Sequence, residues 1–244
     1  MFTPASGPAS TPQSALTAVA KPDWAHIDTV LLDLDGTLLD LAFDNHFWLE
    51  IVPAAYATAR MTSVEAARTE IAPLFHACEG TLPWYCIDHW SRRLELDIEA
   101  LKRANTGKIG WLPGAREFLL HLRASGKRVV MLTNSHPQVL RIKDEKTGVL
   151  SYFDAAFTSH EFGVPKEEAQ FWEAVRGVEP FDPGRSLFAD DNPAVLRAAR
   201  AAGIRWVYGV RRPDSVQTIR EHVDVPAVDG VGELTALSRA PSSG

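Results

Sequence analysis

The chain has 244 residues, 45% of them apolar and 23% charged, with a net charge of −6. These figures fit a globular protein with one large domain, or one domain carrying an insertion. The acidic balance excludes a general nucleic-acid binder, which needs a basic face, but leaves room for a local basic pocket that takes a small phosphate. No apolar run approaches the roughly 20 residues that span a bilayer.

Residues 1–22 are rich in Ala, Ser, Thr and Pro and lack a basic start or a long apolar run. They read as a disordered leader, not a signal peptide, and residues 239–244 read as a similar tail. Cys78 and Cys86 form no CxxC pair. One disulfide could join them; two free thiols in a reducing cytoplasm is the plainer reading.

The first expected strand runs from Asp28 to Asp35 and leads into a turn at Gly36. Asp33 and Asp35 stand two residues apart at its exit. Alternation along a strand would aim both carboxylates to one side if the extended backbone persists through Asp35. Two anions held that close need a bound cation or a shared proton. After Leu41 the spacing is helical up to about Gly110. One segment is marked by Phe43, Phe47, Ile51 and Tyr56, and a second by Val64, Ala67, Ile71, Leu74 and Phe75. A third carries Trp84, Ile87, Asp88 and Leu94, and a short fourth runs from Ile98 to Ala104. Residues 42–110 therefore read as an all-helical block inserted after the first strand.

From Trp111 helices and strands alternate. Expected helices follow Gly114, Ser135, Lys166 and Asn192. Expected strands cover Arg128–Thr133, Phe153–Thr158, Ser186–Ala189 and Ile204–Tyr208. This alternation predicts an α/β fold: a Rossmann-like parallel sheet with helices on both faces, built from residues 23–41 and 111–238. Ligands of such sheets bind at the carboxyl ends of the strands. Asp33 and Asp35, Thr133 and Asn134, Lys166, and Asp190 and Asp191 all fall there. Any one of these is a common cap or turn residue; together, in this order, they form a pattern.

The pattern resembles the haloacid dehalogenase superfamily. Asp33-Leu-Asp35-Gly36-Thr37 matches its first motif, Leu132-Thr133-Asn134 its second, Lys166 its third and Asp190-Asp191 its fourth. The helical block stands where that family carries a small cap domain. The resemblance implies a phosphotransferase or phosphatase dependent on Mg²⁺, with Asp33, Asp190 and the Asp35 backbone carbonyl as protein ligands and Asp191 as a ligand or an orienting neighbour. Carboxylates form aspartyl-phosphate intermediates, so Asp33 is the candidate nucleophile. Asp35 can protonate the leaving oxygen and then activate water. Thr133 and Asn134 can hold the phosphoryl oxygens, and Lys166 can neutralise charge and keep Asp33 ionised. Dehalogenase members lack an acid at the position of Asp35, so its presence favours phosphate esters.

The block at 42–110 should choose the substrate. Tyr85, Asp88 and His89 fall at i, i+3 and i+4, the spacing of one helix face, which makes Tyr85 and His89 the candidate cap contacts for a base or sugar. Phe47 and Trp90 read as the block's own core. Trp84-Tyr85-Cys86-Ile87-Asp88, Thr133-Asn134-Ser135-His136-Pro137 and Phe162-Gly163-Val164-Pro165-Lys166-Glu167 are similar to the same stretches in a branch of bacterial phosphatases, the GMP/IMP nucleotidases. That likeness implies a cytoplasmic 5′-nucleotidase whose partner is a purine nucleoside monophosphate, with no nucleic-acid polymer and no membrane involved. The alternatives are a phosphatase of sugar phosphates or phosphoglycolate, and a phosphate-binding regulatory module without turnover; the intact catalytic set argues against the latter. His136 is a further candidate near the phosphate, and His160 reads as a loop residue.

Overall fold

The computed structural model describes residues 21–217 and 219–238. Nearly all of the expected leader and the whole of the expected tail lie outside those residues.

In chain order the elements are β1 (Thr29–Leu32), α1 (Ala42–His46), α2 (Val52–Arg60), α3 (Val64–Cys78), α4 (Leu82–Tyr85), α5 (Ile87–Leu94), α6 (Ile98–Ala104), α7 (Ala115–Ala124), β2 (Arg128–Thr133), α8 (Pro137–Thr147), β3 (Ala155–Thr158), α9 (Ser159–Phe162), α10 (Ala169–Val178), β4 (Ser186–Asp190), α11 (Pro193–Ala201), β5 (Trp206–Val210), β6 (Ala227–Val228) and α12 (Gly232–Ser238). A π-helical turn, Phe47–Ile51, makes α1 and α2 one continuous rod. The strands form one parallel sheet in the order β3-β2-β1-β4-β5-β6. The order reverses direction at β1, whose neighbours are β2 and β4. That is the topological switch point, beside which open sheets of this kind bind ligands.

The central strands are buried on both faces, which is why they read as unbroken apolar runs. On one face Val30, Leu32, Leu187 and Val129 pack under α7 through Phe118, Leu119 and Leu122. Met131 on the same face meets Leu140 of α8. On the other face Leu31, Val130, Leu132 and Phe188 pack under Phe171, Trp172 and Val175 of α10 and Val195 and Leu196 of α11.

The inserted helices have a core of their own, formed by Phe47, Tyr56, Ile71, Ile87, Trp90, Leu94 and Ile98 and touching the sheet domain at Val139. Phe47 and Trp90 are buried, as the apolar spacing predicts. Trp48, Phe75, Trp84 and Trp90 meet edge to face, with centroids between 4.8 and 6.4 Å apart. The insertion leaves and re-enters the sheet domain at one neck: the Asp40 amide donates to the Gly110 carbonyl at 2.9 Å and the Leu112 amide to the Leu38 carbonyl at 2.9 Å.

Several expectations needed correction. The first strand ends at Leu32, not Asp35, because the chain folds back on itself immediately afterwards. The Leu38 and Leu39 amides both donate to the Leu34 carbonyl, and the Gly36 amide to Leu39. The third segment of the insertion is two helices. Cys86 is extended (φ −91, ψ 108) and separates α4 from α5. β6, α9 and α12 were not expected: β6 has two residues and α9 four, too few to show a period. His160, read as a loop residue, sits on α9.

Candidate active site

The carboxyl ends of β1, β2 and β4 meet the inserted helices around a cavity of about 320 Å³. Asp33, Asp35, Thr133, Asn134, Lys166 and Asp190 all line it. Asp33 follows β1 directly, and its amide still bonds the Ala189 carbonyl of β4, which fixes where its side chain starts. Lys166 arrives from the loop between α9 and α10. Its ammonium donates to Asp33 Oδ1 at 2.5 Å, to Asp190 Oδ2 at 2.7 Å and to the Leu132 carbonyl at 3.1 Å. The lysine therefore ties together the ends of β1, β2 and β4. Burial works against its charge, but Asp190 and Asp33 outweigh that and hold it protonated, above the ordinary lysine value.

Carboxylate oxygens of Asp33, Asp190 and Asp191 lie within 4.8 Å of one another, and all three residues are buried. Burial pushes Asp33 up to about 7, against the pull of Lys166 and with the push of Asp190 and Asp35. Asp190 rises to about 6 and Asp191 to about 7 for the same first reason. Asp191 has its own cation: Arg220 donates to its carboxylate at 2.5 Å and to its carbonyl at 2.9 Å. A buried, all-oxygen acidic donor set of this kind suits a hard divalent cation. Gly36 makes room for the Asp191 carboxylate. Its φ is +80°, and a Cβ there would stand 2.7 Å from Asp191 Cγ and 2.9 Å from Pro213 Cβ.

Asp35 lies in the turn beyond β1, not in the strand, and has a different cation from Asp33. Its carboxylate accepts from Lys143 Nζ at 2.6 Å, and the same ammonium donates to Asp44 Oδ2 at 2.6 Å. Lys102 of the insertion closes the chain on Asp44 Oδ1 at 2.8 Å and rests over the Phe47 ring at 4.1 Å. Burial raises the Asp35 carboxyl above its usual range; Lys143 is the largest influence pulling it back. Asp44, between two ammonium groups, is held well below that range despite its burial. Lys143, Asp44 and Lys102 escaped the sequence reading. A signal for Lys143 exists: it lies on the buried stripe of α8 with Val139, Leu140 and Ile142, where an unpaired lysine would be very costly.

The Thr133 hydroxyl accepts from the Ser135 amide at 3.0 Å. The Asn134 side chain works as a bracket. Its oxygen accepts from the Lys166 amide at 3.0 Å and its nitrogen donates to Glu167 Oε2 at 2.9 Å. Glu167 also accepts from Asn192 Nδ2 at 3.1 Å and from the Tyr85 hydroxyl at 2.6 Å. Tyr85 thus lines the cavity and fastens the inserted helices to the sheet domain. Burial and the Glu167 carboxylate keep its phenol protonated. His89 does not share its position, because the break at Cys86 turns α5. Its Nε2 lies 3.8 Å from Cys78 Sγ and its ring packs on Trp90, outside the cavity lining. His136 lines the cavity and caps α8, its Nδ1 accepting from the Gln138 amide at 3.4 Å. Cys78 and Cys86 are both free thiols.

The family model of haloacid dehalogenase-like hydrolases matches residues 27–203. The chain is 43% identical over 215 residues to the GMP/IMP nucleotidase YrfG of Escherichia coli, an alignment that covers 86% of this chain and 95% of that protein. It is 26% identical over 225 residues to enolase-phosphatase E1 of Gluconacetobacter diazotrophicus, again 86% of this chain and 95% of the other. In fold it is similar to a haloacid dehalogenase-type phosphatase from Thermococcus onnurineus, with a TM-score of 0.73, 20% identity, and coverage of 87% of this chain and 98% of that one. The chain belongs to the haloacid dehalogenase-like hydrolases. Within them it is a phosphoric monoester hydrolase. Among the described residues no helix is long and apolar enough to cross a membrane.

Proposed function

We propose that the protein is a cytoplasmic, Mg²⁺-dependent purine 5′-nucleotidase that acts on GMP or IMP through a phosphorylated Asp33. The observation that carries the chemistry is Lys166, buried and bonded to both Asp33 and Asp190 at the edge of a cavity that Asp35 also lines. A monoester bound there puts its phosphorus in front of the Asp33 carboxylate, with the Thr133 hydroxyl and the Lys166 ammonium available to its equatorial oxygens. The Asp33 oxygen forms a bond to phosphorus as the bond to the ester oxygen breaks. Asp35 delivers its proton to the leaving alkoxide. The resulting Asp35 carboxylate then takes a proton from water, whose oxygen attacks the phosphorus and frees Asp33 and inorganic phosphate. Burial favours the protonated Asp35 needed in the first step, while Lys143 favours the carboxylate needed in the second.

Asp33, Asp190, the Asp35 carbonyl and Asp191 are the groups that would hold Mg²⁺, which when bound offsets the charge of the transferring phosphoryl group. Trp48, Phe75 and Trp84 also line the cavity and offer aromatic surface to the base end of the substrate. The purine preference is supported by the 43% identity to a protein named for GMP and IMP. Phosphate release from a panel of GMP, IMP, AMP, pyrimidine monophosphates, sugar phosphates and phosphoglycolate tests it. GMP and IMP should lead in kcat/KM. Equal rates on sugar phosphates or phosphoglycolate would replace the purine reading with that of a small-metabolite phosphatase.

A further inference from the structure

A second group of metal-type donors lies beside the phosphate site. Cys86 Sγ and ring nitrogens of His136 and His160 all lie within 4.8 Å of one another. The three come from different parts of the fold: Cys86 from the break between α4 and α5, His136 from the junction of β2 and α8, and His160 from α9.

Three observations argue against a merely packed cluster. Both ring nitrogens of His160 are shut off from solvent and have no hydrogen-bond partner. Buried polar atoms left that way require a reason. The rings of His136 and His160 meet edge to face with centroids 4.7 Å apart. An imidazole nitrogen that neither donates nor accepts is a free ligand. Finally, Cys86 is the N-cap of α5, where its sulfur accepts from the His89 amide at 3.4 Å, so the cap fixes the sulfur beside the two rings.

We propose that Cys86, His136 and His160 form a transition-metal site of the zinc type, joining the inserted helices to the sheet domain. The Asp88 carboxylate, 3.6 Å from His136 Nε2 and 58% exposed, stands outside this cluster, so the fourth position is open to solvent. One thiolate and two imidazoles with an open fourth position are a ligand set that zinc takes, whereas Mg²⁺ prefers oxygen alone. Metal–ligand bonds of about 2.0–2.3 Å put tetrahedral ligand atoms roughly 3.3–3.7 Å apart, so donors already within 4.8 Å of one another need to close by at most about 1.5 Å. Binding replaces the thiol proton with the metal and releases that proton to solvent. A metal held there ties the segment carrying Tyr85 to the loop carrying Thr133 and Asn134.

Cobalt(II) titration of the full-length protein, with excess Mg²⁺ present to occupy the aspartate cluster, tests the site. The expected result is a thiolate-to-cobalt charge-transfer band that saturates at one equivalent, with the visible bands of tetrahedral cobalt. Cys86→Ser should abolish the charge-transfer band while keeping the helix cap, since serine also caps. His160→Asn should weaken cobalt binding by at least about tenfold. Cys78→Ser should leave the band unchanged. A wild-type spectrum without the sulfur band overturns the proposal, as does a band that survives Cys86→Ser or disappears in Cys78→Ser. Far-UV circular dichroism on each variant confirms that the comparison is between folded proteins.

Discussion

Replacing Lys143 with methionine isolates what the second buried lysine does. Its side chain is 2% exposed, and its ammonium sits 2.6 Å from both Asp35 and Asp44. Methionine keeps much of the volume and removes the charge, leaving Asp35 without its main cation and Asp44 with Lys102 alone. Breaking a buried pair by removing one partner costs about 3–5 kcal/mol in stability. Purely structural damage would lower the midpoint of urea unfolding and reduce activity at all pH values alike. The proton-shuttle role makes a different forecast. Lys143 is the largest influence lowering the Asp35 carboxyl, so its loss moves that group further upward. Protonation of the leaving alkoxide survives, but general-base activation of water becomes harder, and that base contribution is typically about 10²–10⁴-fold. Lys143→Met should therefore show a pH–kcat profile displaced to higher pH and should accumulate the phosphorylated enzyme during turnover, seen by acid quench with labelled substrate. Lys143→Arg, which keeps the charge, should restore most of the profile. A profile of wild-type shape with no accumulation would refute the role and reduce Lys143 to a structural pair.

Asp33→Asn should abolish turnover with the circular dichroism spectrum unchanged, and activity within tenfold of wild type would eliminate Asp33 as the nucleophile. The Asp33, Asp190 and Asp191 cluster titrates as a unit, with burial raising its members to about 7, 6 and 7. The metal-free folded protein therefore holds protons that the unfolded chain has lost above about pH 4, so its stability falls as pH rises toward about 7. Under the proposed function Mg²⁺ would bind the deprotonated cluster, and its effect on Tm should grow over the same window; a Tm for metal-free protein that climbs through that window contradicts this. Gly36→Ala forces a Cβ to 2.7 Å from Asp191 Cγ at a φ of +80°. A loss of about 1–3 kcal/mol by urea unfolding and weaker Mg²⁺ binding are expected, and an unchanged midpoint would show that the turn can relax. Tyr85→Phe removes the bond to Glu167 across the seam. It should lower kcat/KM on GMP by roughly tenfold, and a value within twofold of wild type would show that the bond does not position the inserted helices over the site.

The sheet was legible because its strands are short apolar runs with glycine and proline punctuation between amphipathic helices. Val129 to Leu132 and Leu187 to Ala189 announce themselves in this way, and both lie buried in the sheet. The ends of elements were harder. Leu34 looks like a continuation of β1 because it is apolar, yet it is buried as the anchor of a turn, with two amides on its carbonyl. Cys86 breaks a helix that Trp84, Ile87, Asp88 and Leu94 suggest as one. Periodicity counts faces; it cannot see a single residue set to extended φ and ψ by what packs on either side. The helical pairing of Tyr85 with His89 failed for that reason.

The site divides along a similar line. Asp33, Thr133 and Asp190 stand at strand ends, where topology alone brings side chains together; Lys166 comes from the loop after α9, which intervenes between it and β3, and all four converge on one cavity. Their partners come from places without such a signature. Glu167 has a chain neighbour in the site, but its three bonds reach Asn134, Asn192 and Tyr85 in three separate parts of the fold, with the shortest at 2.6 Å. Asp44 and Lys102 lie 58 positions apart inside the insertion and meet only when its helices pack. Arg220 approaches Asp191 from beyond β5. A residue that contacts the reacting groups is constrained by chemistry to be one of a few types at a strand end. A residue that holds such a group in place need only arrive with the opposite charge, from any direction the packing allows. Asp35 shows the consequence: its spacing from Asp33 suggested a shared cation or a shared proton, and folding gives its carboxylate a cation apart from that of Asp33, carried on a helix more than 100 residues away along the chain.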